Sequence, residues 1–215
     1  LHLCDRRQRQ MCIRDSYGKV TERVLLTVEY TSGKAERQLY ELLYAYINQP
    51  EKRAFPEMNQ YDLALRLLGL LGSSTAAILQ TIKGIVKRLQ GLENAADELS
   101  QWQEIQAAAE SIPQDAKAGE LLTVLKQGFS LMKKTGAKQK AVIFTESVET
   151  QKMLQNLLSD RYRTLAYNGS ADYSVIRQFK EDGEVLISTD NGAKGFNLEA
   201  VSYTHLRAHE TLSDL

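Results

Sequence analysis

Residues 141–158, AVIFTESVETQKMLQNLL, decide the fold of this chain of 215 residues. The stretch opens with a continuous apolar run at 141–144, and from Val148 onward its apolar residues follow helical spacing. A short apolar run joined to a helix is typical of a strand buried in a parallel sheet, because parallel strands are connected by helical crossovers. The stretch therefore predicts a β-strand and the helix that follows it.

The same alternation continues towards the C-terminal part of the sequence. Residues 163–167 and 185–189 predict two further strands, and residues 173–181 predict the short helix between them. Alternating strands and helices indicate βαβ units. We therefore predict an α/β fold class, with a partial parallel sheet of three strands, flanking helices and an open sheet edge that favours self-association.

The part of the chain before Pro113 has a different pattern. Residues 20–30 are rich in β-branched side chains and predict a strand, after which Thr31 or Ser32 is expected to cap a helix. Trp102 is expected to be a packing anchor rather than a base-stacking residue. The remaining residues before Pro113 predict mainly helical structure, with helices at 35–47, 61–71, 75–90 and 93–111. After Pro113, a longer helix at 117–134 opens the α/β part.

The two ends of the sequence differ from its interior. All of its cysteines and histidines lie within residues 1–16 or 201–215. Residues 6–16 (RRQRQMCIRDS) and 201–210 (VSYTHLRAHE) resemble translated sequencing-adaptor DNA, and such segments are excluded from fold reasoning. We therefore expect residues 1–16 and 201–215 to be adaptor-derived and non-native, and residues 17–200 to be an internal fragment of a longer protein.

The composition excludes several functional classes. Lys plus Arg and Asp plus Glu both number 27, so the chain has no net charge at pH 7, which excludes a strongly basic, DNA-coating protein. No apolar run approaches the roughly 20 residues that span a bilayer. Because residues 17–200 contain no cysteine or histidine, we expect neither disulfides nor metal chemistry there, and a cytoplasmic location.

Candidate ligand-binding residues follow each of the three predicted strands. In open α/β sheets, ligands bind beyond the carboxyl ends of the strands. Thr145 and Ser147 follow the first strand at the start of a helix, where hydroxyls and free amides suit an anion. Asn168 and Gly169 follow the second strand, and the loop DNGAKGFN at 190–197 follows the third. From its spacing alone, that loop fits either a ligand site or a tight turn between a strand and a helix.

Several of these segments resemble one protein family in their order and spacing. They are KAVIFTESVETQKMLQNLL at 140–158, YNGS at 167–170, FK at 179–180 and LISTDNGAKGFNL at 186–198. Together they resemble the second RecA-like lobe of superfamily 2 helicases, and most closely the bacterial Swi/Snf-type translocases of double-stranded DNA. SSTAAILQTIKGIVKRL at 73–89 resembles the helix between the lobes of that family, and residues 24–46 resemble the end of its first lobe.

The resemblance implies a domain organisation and a set of partners. Residues 17–112 would form the end of the first lobe and the helical interlobe region, and residues 113–200 a partial C-terminal RecA-like lobe. Motors of this family hydrolyse ATP with Mg while they move along duplex DNA. The parent protein is therefore expected to use ATP and Mg as cofactors, and to have double-stranded DNA and the missing first lobe as partners, without a membrane.

The resemblance also implies roles for individual residues. The expected nucleotide-binding residues border the ATP cleft between the lobes, and they are Asp190, Gly195 and Asn197. The expected nucleic-acid-binding residues border the track of the DNA backbone, and they are Thr145, Ser147, Asn168, Gly169, Ser188 and Thr189. No residue of the chain is expected to be catalytic or to bind a metal.

Three motifs of the family are missing from this sequence. It contains no phosphate loop of the pattern G-x-x-x-x-G-K-[ST], no D-E-x-H box and no arginine-bearing final motif. We therefore expect the fragment alone to bind no cofactor and to be inactive, whereas the parent protein would be an ATP hydrolase. The arginine that the family places at the start of the helix after Gly169 is not evident, since Arg177 lies later. This difference leaves the contact of that helix with nucleic acid open.

Two alternative hypotheses remain beside the motor. A non-enzymatic scaffold could retain a RecA-like lobe for nucleic-acid binding alone. An unrelated nucleotide-binding α/β enzyme would show a different strand order and no helical region between lobes.

A basic cluster in the sequence also has two interpretations, either phosphate contacts or a solvated helix end, and its members are Lys133, Lys134, Lys138 and Lys140.

Overall fold

A computed structural model describes residues 28–168 and 174–189, together with the backbone of residues 204–207. Five helices precede the first described strand, and strands then alternate with two helices. The helices are α1 (Lys34–Ile47), α2 (Gln60–Ser73), α3 (Thr75–Leu89), α4 (Ala96–Glu110), α5 (Ala116–Thr135), α6 (Val148–Ser159) and α7 (Ser174–Glu181). The strands are β1 (Ala141–Thr145), β2 (Thr164–Tyr167), β3 (Val185–Thr189) and β4 (Thr204–Arg207).

The described strands form one parallel sheet in the order β2-β3-β1-β4. The α/β fold class, with a parallel sheet that follows a helical region, is therefore confirmed. The three predicted strands are each found within one residue of the expected positions. Apolar runs marked β1 and β3 because both faces of these central strands are covered, whereas most of β2 is only half-buried.

The sequence predicted three strands and an open sheet edge, and the structure adds a fourth strand at the edge formed by β1. The backbone of β4 pairs with β1 along that edge, and Ala141 aligns with Thr204. Sequence reasoning missed β4 because its letters, THLR, form no apolar run, and because residues 201–215 were set aside as non-native. The adaptor origin of those residues stays a prediction, although four of them lie in the sheet.

The start of α1 differs from the sequence expectation in two respects. Residues 28–30 are not in a strand, and residues 20–27 of the predicted strand lie outside the described residues. The N-cap is Gly33 rather than Thr31 or Ser32, and the Glu36 carboxylate accepts a hydrogen bond from the Gly33 N–H. A carboxylate in the first turn satisfies a free amide and complements the helix dipole, so it can replace a hydroxyl cap.

The helices α1 to α4 share one apolar core around Trp102, which is fully buried. Its ring packs edge-on against Tyr46, with ring centroids 4.6 Å apart, and Phe55 lies 6.3 Å from it. The role of Trp102 as a packing anchor is confirmed. A polar clamp lies beside the core, where Glu98 accepts hydrogen bonds from the Tyr46 hydroxyl at 2.6 Å and from the Ala54 amide at 3.0 Å.

The sheet separates two further apolar clusters, one on each face. Helices α5 and α6 cover the face that carries Ile143 and Ile187, whereas α7 covers the face that carries Val142 and Leu186. Helix α5 ends at Gly136, whose φ of 72° lies in the left-handed region that favours glycine. The covered faces leave the carboxyl ends of the strands as the place where loops and ligands can meet.

Candidate nucleic-acid interface

The carboxyl ends of β1 and β3 bring three of the predicted site residues together. Thr145 and Thr189 are direct neighbours in the register of the two strands, and each is 4% exposed. Ser188 is fully buried, and its hydroxyl donates to the Thr189 carbonyl oxygen at 3.1 Å. Within the described residues, the Thr145 hydroxyl is buried without a hydrogen-bond partner.

Ser147 and Asn168 are the more accessible members of the predicted site. Ser147 is the N-cap of α6, and its side-chain oxygen accepts hydrogen bonds from the amides of Glu149 and Thr150 at 3.2 and 3.3 Å. Asn168 directly follows β2 and is exposed. The two residues therefore place an amide side chain and a helix N-terminus at the same edge of the sheet, where an anion is favoured.

Four predicted site residues lie outside the described residues. They are Gly169, Asp190, Gly195 and Asn197. The roles implied for all of these residues stay predictions.

Gln151 is a buried member of the same edge that sequence reasoning missed. It is 4% exposed, and its amide nitrogen donates to the carbonyl oxygens of Tyr167 at 2.9 Å and Ile187 at 2.8 Å. The side chain thus fastens the first turn of α6 to β2 and β3. The available signal was a glutamine in the first turn of a helix whose inner face should be apolar.

The basic cluster divides into two parts, because Lys140 is buried while Lys133, Lys134 and Lys138 are exposed. The Lys140 ammonium donates to the carbonyl oxygens of Phe179 and Gly183 at the end of α7. It therefore binds backbone carbonyls and not phosphates, and both interpretations of the cluster were wrong for this residue. Burial, with a smaller contribution from nearby Lys138, lowers the pKa of Lys140.

The exposed lysines lie at the amino ends of the strands, opposite the candidate site at their carboxyl ends. Lys138 precedes β1, whereas Thr145 and Ser147 end and follow it. A five-residue strand is about 16 Å long, so this charge lies at the amino end of the sheet. The lysine cluster and the hydroxyl-rich carboxyl edge are therefore separate surfaces.

Metal ions and anions need different side chains, and the described residues differ in what they offer to each. Across residues 28–168 and 174–189, no three side chains of the His, Cys, Asp or Glu type gather as a metal site would require. The Gln151 side-chain amide and the Ser188 hydroxyl already donate to backbone carbonyl oxygens, whereas the N-terminus of α6 suits anionic oxygen. No helix in these segments combines the length and the apolar character needed to cross a membrane.

Residues 120–207 match the helicase conserved C-terminal domain, which covers less than half of the chain but includes all four strands. This part of the chain is therefore a helicase-like C-terminal lobe, as the resemblance of the sequence implied. No curated protein sequence gives a significant match to the chain.

Among solved structures, the chain is similar to the C-terminal part of the Fun30 ATPase domain. The TM-score is 0.51 at 15% sequence identity, with 86% of this chain and 74% of the Fun30 chain covered. Coverage of that size includes most of the helical region as well as the sheet. At this identity the similarity shows a shared fold.

Proposed function

We propose that this chain is part of an ATP-dependent motor of the Swi/Snf type that moves along double-stranded DNA. The observation that carries the proposal is the position of the hydroxyl-rich edge inside the helicase-like lobe. Ser147 and Asn168 lie at the edge where ligands bind in α/β sheets. Both side chains are uncharged and can form hydrogen bonds, and Ser147 lies at a helix N-terminus. Contacts of this kind suit a phosphate backbone that is bound without regard to base sequence.

The ATP side of the proposal depends on a partner lobe. The chain has no phosphate-loop sequence, so the lysine that cradles the β- and γ-phosphates must come from elsewhere. Asp190, Gly195 and Asn197 would then face the nucleotide across a cleft between two lobes. ATP and Mg supply the reactive phosphate and its charge neutralisation. The chain alone is proposed to bind neither and to be inactive.

The DNA side is tested by fluorescence anisotropy with a labelled duplex at low salt. The Asn168→Ala variant should weaken duplex affinity by about 2- to 10-fold, the range expected for one lost hydrogen bond. Lys138→Gln, at the opposite edge of the sheet, is the control and should change affinity less at the same ionic strength. A larger effect of Lys138→Gln than of Asn168→Ala would overturn the proposed interface.

The ATP side is tested by phosphate release with and without duplex DNA. The 215-residue chain should release no phosphate above the buffer rate. DNA-stimulated hydrolysis by this chain would contradict its proposed inactivity. DNA binding that is unaffected in both variants would count against the proposed interface, and so against both the motor and the scaffold hypotheses, since both bind nucleic acid through this lobe.

A further inference from the structure

Three hydroxyl groups join the helical region to the sheet lobe at a buried contact. The Thr150 side-chain oxygen, in the first turn of α6, lies 2.8 Å from that of Ser73 and 2.7 Å from that of Ser74. All three residues are less than a tenth exposed. Ser74 is also the N-cap of α3, because its oxygen accepts from the Ala77 amide at 3.1 Å. We name Ser73, Ser74 and Thr150 the hydroxyl junction.

Polar contacts around the hydroxyl junction replace an apolar core between the two parts of the chain. Asp115, which precedes α5, accepts from the amide and the hydroxyl of Thr75 at the start of α3. The Lys117 ammonium donates to the Gly72 carbonyl oxygen at 2.8 Å. The apolar clusters of the helical region and of the sheet lobe are separate. Directional hydrogen bonds therefore set the orientation of one part on the other.

Thr150 is bonded on both of its sides. Its amide donates to the Ser147 side-chain oxygen at 3.3 Å, and its hydroxyl meets the two serines. Ser147 ends the loop that begins at Thr145. A shift of the helical region relative to α6 must therefore strain either the hydroxyl junction or the Ser147 cap.

From this geometry we propose that Thr150 is a positioning residue, through which the helical region fixes the loop at 145–147. The proposal deepens the proposed function, because that loop borders the candidate nucleic-acid interface. The helical region then acts as a brace for the interface. Thr150 itself touches no ligand in this scheme.

Substitutions at Thr150 separate its hydroxyl from its volume. Thr150→Val keeps the shape but leaves two buried serine oxygens short of a partner, whereas Thr150→Ser keeps the hydroxyl. The matched control is Thr123→Val on α5, where the threonine is exposed and bonds only within its own helix. Ser73→Ala removes one arm of the hydroxyl junction and serves if Thr150→Val does not fold.

Hydrogen exchange of the 215-residue chain tests whether the hydroxyl junction holds α6 against the helical region. Thr150→Val should speed hydrogen exchange of the Thr150 and Ala77 amides by at least about 5-fold. The Ala77 amide bonds to Ser74 of the hydroxyl junction, and the Thr150 amide bonds to the Ser147 cap, which the junction is proposed to hold in place. Thr150→Ser should stay within about 2-fold of the parent, Ser73→Ala should fall between the two, and Thr123→Val should have no effect there. Unchanged exchange at both amides in Thr150→Val overturns the proposal, and so does unchanged exchange in Ser73→Ala if Thr150→Val is unfolded.

Duplex binding tests the link to the interface. If the parent chain binds the labelled duplex, Thr150→Val should weaken binding and Thr150→Ser should restore it. Parent-like binding by a Thr150→Val chain with raised exchange overturns the positioning role. A parent chain that fails to bind duplex refutes the proposed function instead, and the exchange result still decides whether Thr150 fixes the loop.

Discussion

The helical region and the carboxyl edge of the sheet bury opposite kinds of side chain. The helical core places Trp102 and Tyr46 in close aromatic contact, whereas the carboxyl edge buries the small polar residues Thr145, Ser188 and Thr189. Aromatic burial contributes strongly to stability, while a buried hydroxyl contributes little and costs stability when it has no partner. The contrast is that the helical core buries large apolar groups, while the carboxyl ends of the strands bury small polar groups beside the predicted site.

The largest expected effect is the loss of the helical core. Trp102→Ala should lower the free energy of unfolding by about 3–5 kcal/mol, because it removes a fully buried ring and leaves a cavity. Urea unfolding followed by circular dichroism measures the loss. Hydrogen exchange should show that amides of α1 to α4 lose protection while those of β1 and β3 keep most of theirs.

Leu131→Ala is the control for that comparison. Leu131 lies on α5 and is 64% exposed, so its truncation should change stability by less than about 0.5 kcal/mol. Equal loss of protection in the helices and the strands of Trp102→Ala would show that the two parts unfold as one unit, and would contradict the expected difference between them.

The next effect concerns the one buried ammonium of the described lobe. Lys140→Met should cost about 1–3 kcal/mol, because two carbonyl oxygens near the end of α7 lose their donor. Thermal or urea unfolding near neutral pH measures the cost, with Lys133→Met as an exposed control.

The pH dependence of that effect follows from the lowered pKa of Lys140. The unfolded chain holds this proton more tightly than the folded chain, so the contribution of Lys140 to stability rises with pH up to its ordinary pKa of 10.5. The deficit of Lys140→Met should therefore be larger at about pH 10 than near neutral pH. A deficit that shrinks over this range would show that the ammonium is stabilised by its surroundings.

The smallest effect is the removal of one hydroxyl from the helical core. Tyr46→Phe should cost about 1 kcal/mol, since it breaks the 2.6 Å hydrogen bond to Glu98 but keeps the ring. Burial, together with that hydrogen bond, raises the pKa of Tyr46 above its ordinary 10.0. As the pH rises, the Tyr46 hydroxyl ionises in the unfolded chain before it ionises in the folded chain. The contribution of this hydroxyl to stability is therefore complete below pH 10 and is lost as the pH rises further.

Alkaline unfolding of the parent and Tyr46→Phe checks the sign. The gap between their unfolding free energies should narrow above pH 10. Tyr61→Phe is the control, because Tyr61 is 72% exposed and its substitution should leave the free energy of unfolding close to that of the parent. A gap that widens above pH 10 would show that Tyr46 ionises readily in the fold.

Sequence patterns succeeded where a single local rule decides the structure. The apolar runs gave β1 and β3 because both faces of the sheet are covered at these strands. They failed in two places, one with a local partner and one with a partner distant in sequence. The N-cap moved to Gly33 because Glu36 satisfies its amide, and β4 forms by pairing along β1 without any apolar signal of its own.

The sequence by itself determined the α/β class, the helical region before it and the positions at which polar residues follow the strands. These features depend on the periodicity of neighbouring residues and on loop chemistry. Only the tertiary structure decided which polar groups are buried and what they touch. It placed Lys140 against carbonyl oxygens of residues about 40 positions away, and it joined Ser74 to Thr150 across 76 positions. Such contacts depend on how separate elements pack, and no local pattern records them.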